Sequence, residues 1–369
     1  MPGTMARWGN DLYTGRRSYD IVGTWRRWFA VGIVVVLASV TLLATAGLNL
    51  GIAFRGGSEF TVPGVAVVSE QPAIDAVAQI EGADPPRVSI VGSDAVRVQT
   101  SQLDDAQTAQ LAGLLADAYD VDEAEVGSSF IGATWGADVT SKALRGLVIF
   151  LVLVALVLTV YFRDWRMAVS GIVALLHDVA ITVGVYAAIG WEVTPATVIG
   201  FLTILGYSLY DTVVVFDKVR ENVTDVLKQK RYTYAEMANL GVNQTLVRSL
   251  NTSVVAVLPV ASILFIGAFL LGAGTLRDIA LALFVGIIVG TFSSVFLATP
   301  MLVKLVEREP AYREHTARVL AARAAAPKAT EGAEEPVRVH VGTLVPGEHL
   351  GNRAQPRRRS GSRPAGRRS

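Results

Sequence analysis

The chain has 369 residues, of which 51% are hydrophobic and only 18% carry charge, and its mean hydropathy is +0.44. A water-soluble domain of this length carries more charge and fewer long apolar runs, so the composition indicates a membrane protein. The absence of cysteine excludes a disulfide scaffold and a thiolate metal site, and the four scattered histidines argue against a histidine-rich metal centre.

Six stretches are apolar enough to cross a bilayer, because a spanning helix needs about 20 predominantly apolar residues. They cover residues 28–48, 144–162, 167–189, 195–216, 253–271 and 279–303. The first ends in Ala44-Thr45-Ala46, which is typical of a signal-peptidase site. Its apolar run is longer than the ~7–15 residues of a signal-peptide core, so we expect an uncleaved anchor, with a cleaved signal as the alternative.

The basic residues that flank these spans predict their orientation, because cytoplasmic loops carry an excess of Lys and Arg. They precede the first span, separate the second from the third and the fourth from the fifth, and follow the sixth: Arg16, Arg17, Arg26, Arg27, Arg163, Arg166, Lys218, Arg220, Lys228, Lys230, Arg231, Lys304 and Arg308. We therefore expect a multi-pass protein of the bacterial inner (plasma) membrane with both termini in the cytoplasm.

Residues 49–143, between the first two spans, are predicted to form a small extracytoplasmic α+β domain. Strands are predicted at 57–62, 87–91, 95–100 and 123–131, and helices at 73–80 and 104–118. The order β-α-β-β-α-β is the split pattern of ferredoxin-like folds, which says nothing about function by itself. The segment has no phosphate-binding loop and no nucleophile motif, so we expect no enzyme activity and no cofactor.

The fourth span contains Asp211, six residues deeper than Asp217 and so roughly 9 Å further into the membrane. Asp217 is followed at once by charges and is expected at the cytoplasmic interface. An acid at mid-membrane costs on the order of 2.5–3.5 kcal/mol on insertion scales, and such groups mark proton or ion paths. We therefore expect Asp211 to be a proton-relay residue.

Arg248, near the start of the fifth span, is the predicted partner of Asp211. Gln244, Arg248 and Thr252 are spaced by four residues and share a helix face, and an antiparallel fifth span places Arg248 at a similar depth to Asp211. The alternative is a static ion pair that only locks two helices together. A buried ion pair is weak support for stability, which favours a role in proton handling.

Asp178, next to His177 in the third span, is either a second relay acid or a packing group held by neighbouring helices. In the sixth span, small residues recur on one side and predict close helix packing: Gly286, Gly290, Ser293 and Ser294.

Residues 306–369 are predicted to be a disordered, Arg-rich cytoplasmic tail, because apolar periodicity fades from about Ala311. The tail either binds anionic lipid head groups or ribosomal RNA, or it is a solubilising extension that reinforces orientation. The second reading is favoured, and no specific nucleic-acid partner is expected.

Five motifs together resemble the SecF subunits of the bacterial Sec export machinery. They are Gly51-Ile-Ala-Phe54-Arg-Gly56-Gly57, Leu175-Leu-His177-Asp178, the run from Gly206 through Asp211 and Asp217 to Asn222, the run from Asn243-Gln244 through Arg248 to Thr252, and the run from Gly290 through Ser293-Ser294 to Ala298. The resemblance covers roughly residues 20–305. Tyr210, where the family often has Asn, and the long tail depart from the usual pattern.

The resemblance implies a six-helix membrane bundle (28–48 and 144–305), cytoplasmic segments at 1–27 and 306–369, and an α+β domain at 49–143. It implies that the chain pairs with SecD, joins the SecYEG channel and uses the proton motive force to help unfolded preproteins move outward after ATP-driven insertion. The positions that match Asp211 and Arg248 are associated with proton conduction in that family. Two alternatives remain: half of an RND-type exporter of small molecules or lipids, and a passive scaffold of the channel.

Overall fold

The computed structural model describes residues 4–92, 94–270 and 274–325. Within them, six helical segments are long and apolar enough to cross a membrane, as the hydropathy pattern predicts: Trp25–Ala46, Thr134–Phe162, Trp165–Ile189, Pro195–Lys228, Tyr234–Gly267 and Arg277–Val306. Leu271, the last residue predicted for the fifth span, lies outside the described residues, as do residues 326–369 of the predicted tail.

The helices are α1 (Thr4–Tyr13), α2 (Trp25–Ala46), α3 (Ile52–Arg55), α4 (Gln71–Val77), α5 (Asp105–Tyr119), α6 (Ala133–Phe162), α7 (Trp165–Ile189), α8 (Pro195–Val223), α9 (Tyr234–Ser262), α10 (Gly274–Ser293), α11 (Thr299–Val306) and α12 (Pro310–Ala325). The strands are β1 (Asn49–Leu50), β2 (Gly57–Val62), β3 (Arg87–Val91), β4 (Ala95–Thr100), β5 (Gly127–Ile131) and β6 (Glu192–Val193). Two π-helical segments, Ile263–Leu270 and Ser294–Ala298, lie within the last two spans.

Helix α8 is the centre of the bundle and packs against α7, α9 and α10. It begins with Pro195, whose missing N–H costs nothing at a first helical turn, behind a capping box formed by Thr194 and Thr197. Helices α2 and α6 lie outside and pack against α7, and only 11% of the apolar window of each is buried. Their exposed apolar faces suit contact with lipid.

Helix α9 begins at Tyr234, nineteen residues before the predicted start of the fifth span. The apolar pattern missed this part because it is packed against protein and contains buried amides. Asn239 Oδ1 accepts 3.0 Å hydrogen bonds from the N–H groups of Ile21 and Val22, and Asn243 Oδ1 accepts one of 2.7 Å from Tyr19 N–H. These bonds fix the segment that leads into α2.

The bundle has two opposite ends, a basic end and a sheet end. The basic end carries Arg163, Arg166, Lys218, Arg220, Lys304 and Arg308 together with α1 and α12. The sheet end carries an antiparallel four-stranded sheet of order β3-β4-β2-β5. Side chains from β2 and β4 form the buried face of this sheet with α4 and α5: Phe60, Val62, Val96, Val98, Leu111 and Leu115.

The other face of the sheet is polar and contacts the bundle through the connection between α7 and α8. Gln99 Nε2 donates hydrogen bonds to Glu59 Oε2 at 2.8 Å and to Glu192 Oε1 at 3.1 Å. Glu192 itself lies on β6, which pairs in parallel with β1 just beyond α2. The start of α8 is therefore linked directly to the sheet.

The prediction that disorder begins at residue 306 was wrong for the first part of the tail, because residues 310–325 form α12. Alanine and arginine favour helix, and tertiary contacts hold this one. His315 Nε2 lies 2.7 Å from the Gln229 carbonyl oxygen, and Arg323 donates to both oxygens of Glu236 at 2.6 and 2.8 Å. These hydrogen bonds raise the pKa of Arg323 above its ordinary value.

Candidate functional site

Asp211 lies in α8 at the centre of the bundle, and only 6% of it is exposed. Its Oδ1 accepts a 2.7 Å hydrogen bond from Ser249 Oγ on α9, and its Oδ2 accepts a 2.5 Å bond from Ser294 Oγ. Ser294 opens the π-helical segment of the last span, a kind of irregularity that is frequent at functional sites. One carboxyl group thus joins three membrane helices.

The predicted ion pair between Asp211 and Arg248 does not form within the described chain. Arg248 is exposed on the outside of the bundle, where its Nη2 donates a 3.3 Å hydrogen bond to the hydroxyl of Tyr210. Tyr210 is itself 55% exposed. The depth estimate did not specify how α9 is rotated, and the residue that turns toward α8 is Ser249 rather than its neighbour.

Asp178 forms a second acidic centre in α7, and it is only 1% exposed. Its Oδ2 accepts a 2.6 Å hydrogen bond from Ser208 Oγ on α8, and its Oδ1 lies 3.2 Å from His177 Nδ1. Ser208 precedes Asp211 by three residues, about one helical turn. Asp178 is therefore bonded to the turn of α8 that precedes Asp211.

Two glycines let the last span approach α8 closely enough to build this arrangement. A Cβ at Gly286 would lie 2.3 Å from Ile204 Cγ1, and a Cβ at Gly290 would lie 2.9 Å from Ser208 Cβ. Ser293 and Ser294 are fully buried, and Ser293 Oγ donates to the Gly290 carbonyl at 3.2 Å. All four residues lie in the helix interface, and Ser294 also bonds to Asp211.

The motif residues near the sheet end take part in packing and in a tight turn. Phe54 packs in an apolar cluster with Tyr186 and Val193. Gly56 and Gly57 have φ of +80° and +141°, and a Cβ on Gly57 would lie 2.5 Å from the Thr100 carbonyl oxygen. This turn leads from α3 into the sheet and tolerates only glycine without strain.

The motif residues toward the basic end do not form one cluster, and each has its own surroundings. Asp217 is exposed, with its Oδ1 3.5 Å from the Tyr161 hydroxyl. Gln244 accepts a 2.9 Å bond from Asn222 and donates one of 3.1 Å to the Tyr13 carbonyl. Thr252 is half-buried on α9. None of these three described residues contacts Asp211.

Ser249 is the partner of Asp211 that sequence reasoning missed. It belongs to a row of small residues at four-residue spacing on α9, together with Gly241, Thr245 and Ser253. Gly241 packs directly on α8, since a Cβ there would lie 3.0 Å from the Cα of Val219. A row of small residues marks the close-packed face of a membrane helix, and this signal was present in the sequence.

The surroundings of Asp211 suit the uptake and release of a proton. A serine hydroxyl can donate to an ionised carboxylate or accept from a protonated one, so both forms find partners in place. An ionised acid fixed by a cation lacks that freedom. Both protonation states of Asp211 therefore have hydrogen-bond partners in this geometry.

Comparison with known proteins gives a consistent result. The family profile described as "Protein export membrane protein SecD/SecF, C-terminal" matches residues 111–308. The chain is 46% identical to a protein translocase subunit SecF of Streptomyces coelicolor, over 88% of this chain and 87% of that protein. It is 42% identical to the SecF subunit of Mycobacterium tuberculosis, over 95% of this chain and 83% of that protein.

The fold is similar to the crystal structure of SecDF, a translocon-associated membrane protein from Thermus thermophilus. The TM-score is 0.69 at 29% sequence identity, and the match covers 80% of this chain. It covers only 39% of the SecDF chain, so the similarity extends over less than half of that longer protein.

Proposed function

The chain belongs to the SecD/SecF family of protein-export membrane proteins, and we propose that it works as a SecF subunit that couples proton flow to protein export. As a multi-pass membrane protein with a role in Sec translocation, it would act with SecD at the SecYEG channel and promote the outward movement of unfolded preproteins. The coupling ion is the proton, and no bound cofactor is required.

The observation that carries this proposal is the buried carboxyl group of Asp211, bonded to serines of two other spans. A charge in the membrane interior is costly, and a purely structural contact between helices needs no ionisable group. Hydrogen bonds to an ionised acceptor are roughly twice as strong as neutral ones. Protonation of Asp211 would therefore weaken its bonds to Ser249 and Ser294 together.

This weakening gives a route from proton binding to movement. Helix α8 would be released from α9 and the last span, while its first residues stay attached to the sheet through Glu192 and Gln99. A shift of α8 would then be passed to the sheet end. One elementary charge that crosses the membrane supplies about 2.3 kcal/mol per 100 mV, which is enough to bias packed helices between two arrangements.

The orientation of the chain follows from its charges. We place the basic end and both termini in the cytoplasm, since positive charges are retained on that side of the inner membrane. The sheet, whose strand order fits a ferredoxin-like domain, then lies outside the cytoplasm, where it can contact a preprotein that leaves the channel.

Arg248 supports contact with a second membrane chain. It is exposed on the side of the bundle, more than three turns from the start of α9 at Tyr234. A cation that faces hydrocarbon costs on the order of 2.5–3.5 kcal/mol, whereas a neighbouring polar helix removes that cost. We assign the surface formed by Tyr210 and Arg248 to SecD, in keeping with the name SecDF of the similar solved structure.

The test is proton-gradient-dependent export in inverted membrane vesicles that carry Asp211→Asn. We expect export driven by the gradient to be lost while ATP-driven insertion continues. Asp217→Asn is the matched control, because Asp217 lies on the same helix but is exposed, and it should keep gradient-driven export.

Undiminished gradient-driven export with Asp211→Asn would contradict the proposal and favour a passive scaffold. Co-purification distinguishes the third alternative. A translocase subunit brings down SecD and the channel, whereas an exporter of small molecules or lipids does not.

A further inference from the structure

A groove between α2 and α7 forms a cavity of about 420 Å³. Its walls are mostly apolar and include Gly32, Val36 and Leu297. Two polar side chains also line it, His177 and Ser170. Within the described chain, His177 Nε2 and Ser170 Oγ are buried without a hydrogen-bond partner. A buried polar atom without a partner is costly and calls for an explanation.

The cavity adjoins a second one that reaches the basic end. The outer cavity has a volume of about 370 Å³, and it shares Phe29 and Met301 with the walls of the inner one. Its rim includes Lys304, Glu307 and Arg308. The two cavities form a row of spaces between the charged end of the bundle and the imidazole of His177.

His177 is placed between this space and the acid of α7. Its side chain is 9% exposed, its Nδ1 lies 3.2 Å from Asp178 Oδ1, and its ring stacks on Phe292. When Nδ1 carries the ring proton and donates to Asp178, Nε2 is a bare acceptor that faces the cavity. Imidazole is the side chain whose charge changes most readily near neutral pH.

Among the described residues around the imidazole of His177, the titratable group in contact with it is Asp178. In the described chain, Gly32 of α2, Phe292 of α10 and Leu297 of the π-helical segment surround the ring and carry no charge. From α8, Ser208 reaches Asp178, and Asp211 lies about one turn beyond Ser208. The charged Lys304, Glu307 and Arg308 stand only at the outer cavity.

We propose that His177 and Asp178 form one proton-binding unit that exchanges protons with the basic end through this cavity. A water molecule in the inner cavity, which exceeds the ~30 Å³ that one water occupies, takes up a proton from the basic end and passes one to Nε2, so that the water itself stays neutral. The Nδ1 proton then passes to Asp178 Oδ1, and the ring is left neutral with its proton on Nε2. The reverse sequence releases one proton toward the basic end. This inference rests on the proposed proton coupling and adds the path by which protons reach the cytoplasmic side.

Infrared difference spectroscopy on the full-length chain in liposomes tests the unit without measuring export. The protonated carboxyl band of Asp178 is identified as the band that Asp178→Asn removes. We expect its amplitude to change with pH in the wild-type chain. His177→Asn keeps an amide donor for Asp178 but has no second nitrogen to protonate, so it should shift the pH at which the band titrates.

A second variant tests the cavity itself. A Cβ at Gly32 would lie 3.3 Å from His177 Nε2, so Gly32→Ala fills the space next to this atom. After a jump in pH, the Asp178 band should respond more slowly in Gly32→Ala than in the wild-type chain. Gly146→Ala on α6 is the matched control, because a Cβ there meets nothing within 4 Å, and it should leave the rate unchanged.

Three results would overturn the inference: no pH-dependent band that Asp178→Asn removes, an unshifted titration in His177→Asn, or an unchanged rate in Gly32→Ala. Each is independent of Asp211. If Asp211→Asn exports normally while the Asp178 band behaves as expected, the proposed coupling fails but the proton-binding unit stands.

Discussion

At the scale of single residues, the proposed proton coupling depends on Asp211 and the hydroxyl groups that bond to it. Ser294 Oγ and Ser249 Oγ each occupy one carboxyl oxygen, at 2.5 and 2.7 Å. Because both hydroxyls come from other spans, each bond stabilises a helix interface as well as a charge. The contribution of one such bond can be measured apart from export.

Removal of the Ser294 hydroxyl should destabilise the folded chain. Ser294→Ala leaves one oxygen of a buried carboxylate without a donor, at a cost of about 1–3 kcal/mol. Thermal unfolding in detergent should show a lower midpoint, and the loss should shrink in an Asp211→Ala background because the two residues are coupled. Ser262→Ala is the control, since Ser262 is exposed and its hydroxyl bonds only within its own helix. Equal losses in both backgrounds would show that the bond contributes nothing.

The sequence was sufficient to identify both acids, but the partner predicted for Asp211, Arg248, was wrong. Asp211 and Asp178 stood out because ionisable groups are rare in apolar spans. The rotation of α9, however, is decided by packing, and residues 248 and 249 differ by about 100° around a helix axis. The row from Gly241 to Ser253 carried the information, because small residues turn toward the neighbouring helix. Charge complementarity predicted the face of α9 that contacts α8 less well than this row of small residues did.

At the scale of helices, the hydrogen bonds of both acids require that the last span approaches α8 closely. Gly290 brings the backbone of the last span next to Ser208, which in turn bonds to Asp178. The same approach places Ser294, one turn further on, against Asp211. A wider interface would separate both acids from their hydroxyl partners.

Gly290→Ala should therefore destabilise the bundle by about 1–3 kcal/mol, as overpacking does in well-packed cores. Its new methyl group would lie 2.9 Å from Ser208 Cβ, and neither neighbour can move without a helix shift. The unfolding midpoint and gradient-driven export should both fall. Gly206→Ala, on α8 but with nothing within 4 Å of its Cβ, should keep both. A Gly290→Ala chain as stable as the Gly206→Ala chain would contradict this role.

The helices themselves could largely be predicted, since long apolar runs are the clearest signal in a sequence. What the sequence did not reveal were segments whose contacts are tertiary. Helix α9 starts early because Asn239 and Asn243 are satisfied by the chain before α2. Helix α12 is ordered because Arg323 and His315 find partners far away in sequence. No local sequence pattern predicts either set of contacts.

At the scale of the whole molecule, the proposed contact with SecD is centred on the exposed Arg248. Arg248→Glu should reduce the amount of SecD that co-purifies in mild detergent, because it reverses the charge at the proposed contact. Arg145→Glu, at another exposed arginine, on α6, should retain SecD. Equal recovery of SecD with both variants would place the contact elsewhere on the bundle.

The link between membrane and sheet decides whether proton binding can do mechanical work. Helix α8 carries Asp211, Ser208 and, just before its start, the Glu192 that bonds to Gln99 of the sheet. One helix therefore connects both acidic centres with the domain that we place outside the cytoplasm. This continuity supports the proposed coupling.

The most direct test of that coupling measures proton movement during export. The chain, SecD and the channel are reconstituted in liposomes with a pH-sensitive dye inside, and the proton flux is recorded with and without a translocating preprotein. We predict a preprotein-dependent flux in the wild-type complex, the same flux with Asp217→Asn, and none with Asp211→Asn. A preprotein-dependent flux of wild-type size in the Asp211→Asn complex would contradict the account.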